Sequence, residues 1–270
     1  EIGITTDIEA TIKEEGEIVV SAKLFLDIVR RLPEEIVFIE TDERMVTYIA
    51  CGKVNYQIVG MSSVEYPDLP SFEQTDRITL NAKILRDMIR QTVYAVSENT
   101  AKPIYTGSLY EIEDGVFKII AIDGYRMAIR SENVDSESKN RFVVPGKTQH
   151  EVLKLLTDDE ENTEIIIGQR HITFKIKNYR NITLLIEGTF IEYKSAIPKE
   201  TKTEVVINTR TIIDAVERMS LLNNDRIQSP VRCIFSDDEI KLSCTSAVGR
   251  ANDVISVPII GESVEIGFDN

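Results

Sequence analysis

The sequence predicts an α+β protein built from four copies of one small unit, and three observations support this. A strand-like segment followed by an amphipathic helix occurs four times, beginning near residues 17, 77, 141 and 204. Three short strand-like runs follow each helix. The basic residues at matching helix positions are 60, 64 and 63 residues apart, namely Lys23, Lys83, Lys147 and Arg210. A fixed spacing of this size indicates a repeat architecture.

The second copy, from Arg77 to Val96, shows the pattern most clearly. Ile78 and Leu80 alternate with polar residues, which is typical of a half-buried strand. Asn81 suits the N-cap of the helix that follows. Apolar residues then recur at helical spacing, at Ile84, Leu85, Met88 and Ile89. The opposite face carries Lys83, Arg86, Asp87 and Arg90, so we expect one buried face and one face of net positive charge.

The runs after the helices predict antiparallel hairpins, because the connections are too short for parallel crossovers. Asp114-Gly115 and Asp123-Gly124 are the clearest tight turns. The predicted strands cover residues 36–40, 45–51, 54–59, 107–112, 116–122, 126–130, 163–167, 171–176, 182–186, 231–235, 240–244 and 250–257.

A second, longer period groups the units in pairs. Tyr66 and Tyr193 are 127 residues apart in similar segments, and each segment runs through polar residues into the next strand. We therefore predict modules of two units, with boundaries near residues 74 and 201. Residues 1–74 would be the C-terminal part of a first module, 75–200 a complete second module, and 201–270 the N-terminal part of a third.

The charge is unevenly distributed along the chain. The net charge is −14, yet the four helical windows carry +2, +2, +1 and 0, which leaves −19 on the rest. If the helices share one surface, that surface repels a polyanion far less than the remainder does. Three cysteines without close spacing indicate neither a disulfide framework nor a zinc site, and they favour a reducing cytoplasm. No apolar run reaches the length of a bilayer.

Residue patterns typical of catalysis are absent from the sequence. Neither His150 nor His171 has a partner at metal or triad spacing. The sequence has no glycine-rich phosphate loop and no HExxH or GxSxG motif. We therefore expect no catalytic residue, no metal and no cofactor, although an enzyme with a metal site of scattered carboxylates stays open as an alternative.

The repeated unit and three segments together resemble the bacterial DNA polymerase III beta subunit family, the replication sliding clamps. The segments are Asp-Gly-Tyr-Arg at 123–126, VVPGKT at 143–148 and EGTFIEYKSAIPK at 187–199. The resemblance spans the whole sequence. It implies three modules of two units, two chains meeting head to tail in a closed ring, helices lining the hole and sheets outside. By this match, the sequence lacks the opening half of the first module and the closing half of the third.

The resemblance implies a non-catalytic processivity subunit that encircles double-stranded DNA without reading its sequence. The expected DNA-facing residues are Lys23, Arg30, Lys83, Arg86, Arg90, Lys102, Lys147, Lys154 and Arg210. Asp27, Asp87, Glu151 and Asp214 lie four residues after a base and would moderate the same face. The alternative is that each base and the carboxylate four residues after it only stabilise their own helix at the protein surface.

The resemblance also implies a hydrophobic cleft that takes a short peptide motif from partner proteins. Those partners are the DNA polymerase III alpha subunit, the clamp loader and repair proteins. The residues that this chain would contribute to the cleft are Tyr105, Ile122, Gly124, Tyr125, Arg126, Met127, Ile191 and Ala196. The family usually has His where Tyr125 stands, Pro where Ile191 stands and a basic residue near Ser195. The rest of the cleft comes from the extreme C-terminus of the family, which this sequence lacks.

The contact between chains of the ring carries over to Tyr56 and Ile58 on one side and to Leu221 and Leu222 on the other. Two leucines at the end of a helix are also commonly part of a core. The alternative function is a protein-interaction scaffold that uses the same repeat without DNA, and no membrane partner is expected in either case.

Overall fold

The computed structural model describes residues 2–67, 76–157, 161–222 and 229–268, and its fold is α+β as predicted. Every strand pairing among these residues is antiparallel, as the short connections indicated. The chain forms two compact units, Glu1–Phe190 and Ile191–Asn270. The predicted module boundary near residue 74 lies outside the described residues, and the boundary near residue 201 stays a prediction.

The four predicted helices form, each at the start of one repeat. They are α1 (Ala22–Val29), α2 (Ala82–Arg90), α3 (Gly146–Leu155) and α4 (Thr209–Ser220). Asn81 caps α2 as predicted, because its Oδ1 accepts hydrogen bonds from the backbone amides of Lys83 (3.0 Å) and Ile84 (3.4 Å). Asn208 caps α4 in the same way. A cap of this kind stabilises a helix by about 1 kcal/mol.

The strands follow the predicted repeat closely. In chain order β1 to β18 are Ile2–Thr6, Val37–Thr41, Val46–Cys51, Val54–Val59, Asp76–Asn81, Gly107–Glu113, Val116–Ile122, Met127–Asn133, Asn140–Pro145, Asn162–Ile167, His171–Ile176, Tyr179–Leu184, Thr203–Val205, Val231–Ser236, Glu239–Ser246, Gly249–Ser256, Ile259–Gly261 and Val264–Phe268.

Turn chemistry explains where the strands agree with the prediction and where they differ. Asp114 (φ 51°) and Gly115 (φ 72°) both adopt positive φ, which a two-residue hairpin turn requires, so the predicted turn is confirmed. The strand predicted at 182–186 begins earlier, because Ile176 pairs with Tyr179 across a two-residue turn. Strand β17 was not predicted.

The two units of the central region exchange their first strands. β5 precedes α2 but pairs with β10, which follows α3. β9 precedes α3 but pairs with β6, which follows α2. Two sheets result, in the orders β1-β12-β11-β10-β5 and β8-β7-β6-β9. Neither sheet is complete without strands from both units.

One core lies between these sheets and the helices α2 and α3, which pack against each other. Leu85, Met88 and Ile89 of α2 are fully buried in it. Tyr110 meets Phe117 edge-on, with 5.4 Å between ring centroids. Ile84 was predicted on the buried face but is 38% exposed, because the face that packs is centred on Leu85, Met88 and Ile89 and leaves the first turn at its margin.

The remaining described regions each hold one repeat. In the first compact unit, α1 packs on the sheet β2-β3-β4 through Ile28, Ile49 and Ile58. β1 joins the central region instead, where it pairs with β12 over five residue pairs. In the second compact unit, α4 packs on the sheet β16-β15-β14-β18, and β13 pairs with β17.

Candidate functional site

The predicted DNA-facing residues lie on the solvent side of the structure. Eight of them are exposed and Arg86 is partly buried; the exposed ones are Lys23, Arg30, Lys83, Arg90, Lys102, Lys147, Lys154 and Arg210. On α2 and α3 the opposite faces are packed into the core, so the basic side chains project away from the sheets. On α2 and α3 the sequence pattern therefore predicted correctly which face of the helix is solvated, whereas on α1 Leu24, Leu26 and Val29 are exposed as well.

Carboxylates on the same helix faces contact several of the bases. Three carboxylates pair with a base that follows them and not with the predicted base four residues before: Asp27 with Arg31 (3.6 Å), Asp87 with Arg90 (3.3 Å) and Glu151 with Lys154 (2.8 Å). Asp214 pairs with Arg210 at 2.8 Å, four residues apart. Exposed pairs of this kind contribute only about 0–1 kcal/mol each, so the bases can exchange a carboxylate for a phosphate at little cost.

The loop at Asp123 to Arg126 holds the centre of the predicted peptide cleft. Asp123 Oδ1 accepts hydrogen bonds from the backbone amides of Tyr125 (2.9 Å) and Arg126 (3.0 Å). Arg126 Nε donates to Asp123 Oδ2 at 2.7 Å. Partial burial raises the pKa of Asp123, but these amides and the guanidinium outweigh it and hold the pKa below its usual value. The loop is therefore fixed by its own hydrogen bonds.

This fixed loop presents Tyr125 to solvent. The side chain of Tyr125 is fully exposed, and Gly124 adopts a φ of 102°, which favours glycine. Ile122 and Met127, which flank the loop, are partly buried. An exposed aromatic residue on a rigid loop is a suitable anchor for a binding partner, since little side-chain entropy is lost when it is covered.

Two aromatic residues near the predicted cleft were missed by the sequence analysis. Arg126 Cζ lies 5.6 Å from the ring centroid of Tyr94, within cation–π range. Tyr105 packs edge-on against Phe190, with 5.6 Å between centroids. No short-range pattern links either pair, because the partners are far apart in the sequence.

The other two predicted cleft residues belong to the second compact unit. Ile191 is 45% exposed, and Ala196 ends a short 3-10 helix, Tyr193–Ala196, and is exposed. Tyr193 anchors this segment, since it is only 2% exposed. The segment thus presents small and aliphatic side chains from a fixed backbone.

The residues predicted for the contact between chains fall in different environments. On β4, Tyr56 is 36% exposed, whereas Ile58 is 7% exposed and packs against Ile28 and Ile49. Tyr56 and Ile58 share one face of β4, with Tyr56 directly opposite Ile49, and Ile58 is the one of the two that packs into the cluster under α1. After α4, Leu221 is 82% exposed, whereas Leu222 packs on the core of the second unit.

The described residues contain no group of three or more His, Cys, Asp or Glu side chains arranged to hold a metal ion. Cys51, Cys233 and Cys244 are buried thiols, and none of them forms a disulfide among the described residues. No helix within the described ranges is long and apolar enough to cross a membrane.

Comparison with known proteins matches three consecutive regions of the chain to the domains of one protein family. Residues 1–70, 79–192 and 194–270 match the models of the N-terminal, central and C-terminal domains of the DNA polymerase III beta subunit. The beta sliding clamp of Halalkalibacterium halodurans is 34% identical over 265 residues, which cover 96% of this chain and 70% of that protein. The beta sliding clamp of Bacillus subtilis is 33% identical over 263 residues, with the same coverage of each chain.

Solved structures give the same result. A crystal structure from Eubacterium rectale assigned as a DNA polymerase III beta subunit superposes with a TM-score of 0.96 at 33% identity, covering 100% of this chain and 74% of that one. The sliding clamp of Bacillus subtilis gives a TM-score of 0.94 at 32% identity, covering 99% and 74%. The chain therefore belongs to the family of bacterial DNA polymerase III beta subunits, the DNA sliding clamps.

Proposed function

We propose that this clamp encircles duplex DNA and tethers a replicative polymerase and other partners to it, without an active site of its own. The observation that carries the proposal is the recurrence of exposed basic residues at matching positions on four helices. The rest of the chain carries a net charge of −19, so the helices are where a polyanion is repelled least.

The proposed DNA contacts are phosphate contacts from lysine and arginine. Such contacts do not depend on sequence, and they weaken as salt competes for the phosphates. The neighbouring carboxylates of Asp87, Glu151 and Asp214 weaken the attraction between these helix faces and the DNA phosphates. A weak grip suits a clamp that moves along DNA, because enclosure rather than adhesion keeps it there.

We propose that the loop at residues 123–126 receives a short peptide motif from partner proteins. Tyr125 offers an exposed anchor, Met127 adds apolar surface, and Tyr105 adds a ring that packs edge-on against Phe190. The named relatives are polymerase subunits, so we expect the DNA polymerase III alpha subunit, the clamp loader and repair proteins to use this site in the bacterial cytoplasm. The other residues that the resemblance assigns to peptide binding are Ile122, Gly124 and Arg126 in the first compact unit, and Ile191 and Ala196 in the second.

We infer that two chains join edge to edge, and the pairing of β1 with β12 supports this. β12 is the last strand of its repeat, and β1 adds to its outer edge with Ile4 opposite Asn181. β4 is also the last strand of its repeat, and its outer edge carries no strand among the described residues. A strand from a second copy can extend this sheet at β4, close to Tyr56. β16, an outer strand of the second unit, is the candidate from the other copy.

Retention on DNA of different topology tests the proposal. The clamp is loaded onto nicked circular DNA by a clamp loader, and the bound fraction is measured by co-sedimentation before and after the circle is cut. We expect retention on the circle and release from the linear product, because a ring slides off an end. Equal binding to both forms would mean adhesion, and binding to neither would favour the alternative, a protein-interaction scaffold that does not use DNA.

A further inference from the structure

Arg126 is held by two contacts of different kinds, one at an edge of its guanidinium and one at its face. Nε donates to Asp123 Oδ2 at 2.7 Å. Cζ lies 5.6 Å from the ring centroid of Tyr94, which is within the range of a cation–π contact. Because the guanidinium is planar, a contact at one edge and a contact at one face together fix its orientation.

Tyr94 presents an exposed ring from a fixed backbone. It is the middle residue of a 3-10 helix, Val93–Ala95, that follows α2. Both of its neighbours in this short helix are buried, whereas Tyr94 itself is 58% exposed. Thr92 ties the short helix to α2, since its Oγ1 donates to the carbonyl of Met88 at 2.8 Å. The ring therefore projects from a segment that is anchored on both sides.

The 3-10 helix and the loop that carries Arg126 belong to one packed block. Ala95 packs with Ala121 on β7 and Ala128 on β8, and these two alanines lie directly opposite each other. β7 and β8 are the strands on either side of the loop at residues 123–126. Because alanine side chains are small, the helix lies close to both strands. The ring and the guanidinium are consequently mounted on the same rigid support.

The terminal amino groups of Arg126 are available to a ligand. Nη1 and Nη2 make no hydrogen bond with any residue that the structure describes, and the side chain is 60% exposed. These two groups carry four of the five N–H donors of the guanidinium. A carboxylate fits the paired amino groups with two parallel hydrogen bonds, and such charge-assisted bonds are stronger than bonds between neutral groups.

We propose that Tyr94 is a positioning residue that orients Arg126 to bind a carboxylate of the partner peptide, so that the site selects peptides with an acidic residue beside their apolar anchor. The inference rests on the peptide site proposed at residues 123–126. Tyr125, the neighbour of Arg126, is fully exposed and offers the apolar surface. Asp123 keeps its bond to Nε, so the guanidinium lies between the carboxylate of the loop and that of the peptide.

The alternative is that the contact of Tyr94 with Arg126 only stabilises the loop, and the two roles have different consequences. If Tyr94 only stabilises the loop, its loss weakens every peptide to the same extent. If Tyr94 orients Arg126, its loss weakens only those peptides whose carboxylate uses Nη1 and Nη2. The preference for an acidic peptide over its amide form therefore separates positioning from stabilisation.

The experiment titrates the chain with two forms of one polymerase-derived peptide and measures both affinities by NMR. One form carries its acidic residues, and in the other each Asp or Glu is replaced by Asn or Gln. We expect the unmodified chain to bind the acidic form about tenfold more tightly. Tyr94→Leu should weaken the acidic form about threefold, as loss of an exposed cation–π contact does, and leave the amide form unchanged. Tyr94→Phe keeps the ring and should retain the full preference.

Two further variants complete the test. Tyr66→Leu is the matched control, because Tyr66 is 63% exposed and lies outside the predicted cleft, and it should change neither affinity. Arg126→Gln should bind both forms equally, and adding Tyr94→Leu to it should have no further effect. Equal affinity of the unmodified chain for the two forms, or an equal loss for both in Tyr94→Leu, would overturn the inference and leave the peptide site in place. Failure of the unmodified chain to bind either form would overturn both.

Discussion

Asp123 and Arg126 share three hydrogen bonds across one short loop. The backbone amide and Nε of Arg126 donate to the Asp123 carboxylate at 3.0 and 2.7 Å, and the amide of Asp123 donates to the carbonyl of Arg126 at 3.3 Å. The loop that presents Tyr125 is thus held by one carboxylate. A binding loop that is already ordered loses less entropy when a partner binds.

Replacing that carboxylate should loosen the loop in a pH-dependent way. The pKa of Asp123 is lowered in the fold, so the charged carboxylate stabilises the folded state above the pKa of the unfolded chain. This stabilisation is lost as the pH falls through the lower, folded pKa. We expect Asp123→Asn to lower the melting temperature at pH 7, and the difference from the unmodified chain to shrink as the pH falls below about 4, the usual pKa of Asp, until it is lost below the folded pKa. A difference that is constant with pH would assign the effect to packing instead.

Tyr125 and Met127 should act as anchors for partner peptides. Replacing both with alanine should weaken a polymerase-derived peptide by more than about 1 kcal/mol, as truncation of an anchor in a cleft does. The measurement is fluorescence anisotropy, in a chain lengthened with the C-terminal segment of its relatives. Tyr66→Ala is the matched control, because Tyr66 is also exposed (63%) and lies outside the predicted cleft. Equal affinity in the double variant would remove both residues from the site.

The basic face of α2 should matter for DNA and not for folding. Reversing Lys83, Arg86 and Arg90 to glutamate should abolish retention on circular DNA while the melting temperature stays nearly unchanged, because Lys83 and Arg90 are exposed, Arg86 is only partly buried, and charges at the surface contribute little to stability. The control reverses three exposed bases outside the helices, Lys13, Lys53 and Arg180, for the same change in net charge. Comparable loss of retention in the control would indicate a general charge effect instead of a dedicated face.

Matching positions on α1 and α2 should differ in their contribution to stability. Ile89 is fully buried between α2, α3 and the sheets, whereas Val29, at the same place on α1, is 42% exposed. Ile89→Ala should cost about 2–5 kcal/mol of unfolding free energy, as cavity-forming changes do, and Val29→Ala less than about 1 kcal/mol. Urea unfolding monitored by circular dichroism gives both values. Similar costs would show that α1 is covered as fully as α2.

Local signals predicted the local structure well. Asn81 was recognised as a cap because its side chain and the helical spacing after it act within a few residues, and Asp114-Gly115 was recognised because only such residues adopt two successive positive φ angles. Burial at the ends of elements was harder, as Ile84 shows, because it depends on which neighbour covers the helix.

Contacts between distant residues could not be predicted from the pattern. The strand exchange was missed because every repeat carries the same strand signals, and the sequence does not say which copy a strand will choose. The ring contact of Tyr94 with Arg126 was missed for a similar reason. The contacts of Ile58 with Ile28 and Ile49 were missed in the same way, because they join α1 to the sheet, and its predicted role between chains stays a prediction.

The exchange of first strands between the two central repeats has a consequence for synthesis on the ribosome. Arg77 on β5 bonds Glu164 on β10, 87 residues later, so an emerging chain holds β5 without its neighbour until most of the region has been translated. Pairing between strands so far apart in the sequence slows folding, and the unpaired edge of β5 stays exposed to aggregation for longer. The region should consequently fold all at once, late, and benefit from chaperones that shield nascent strands.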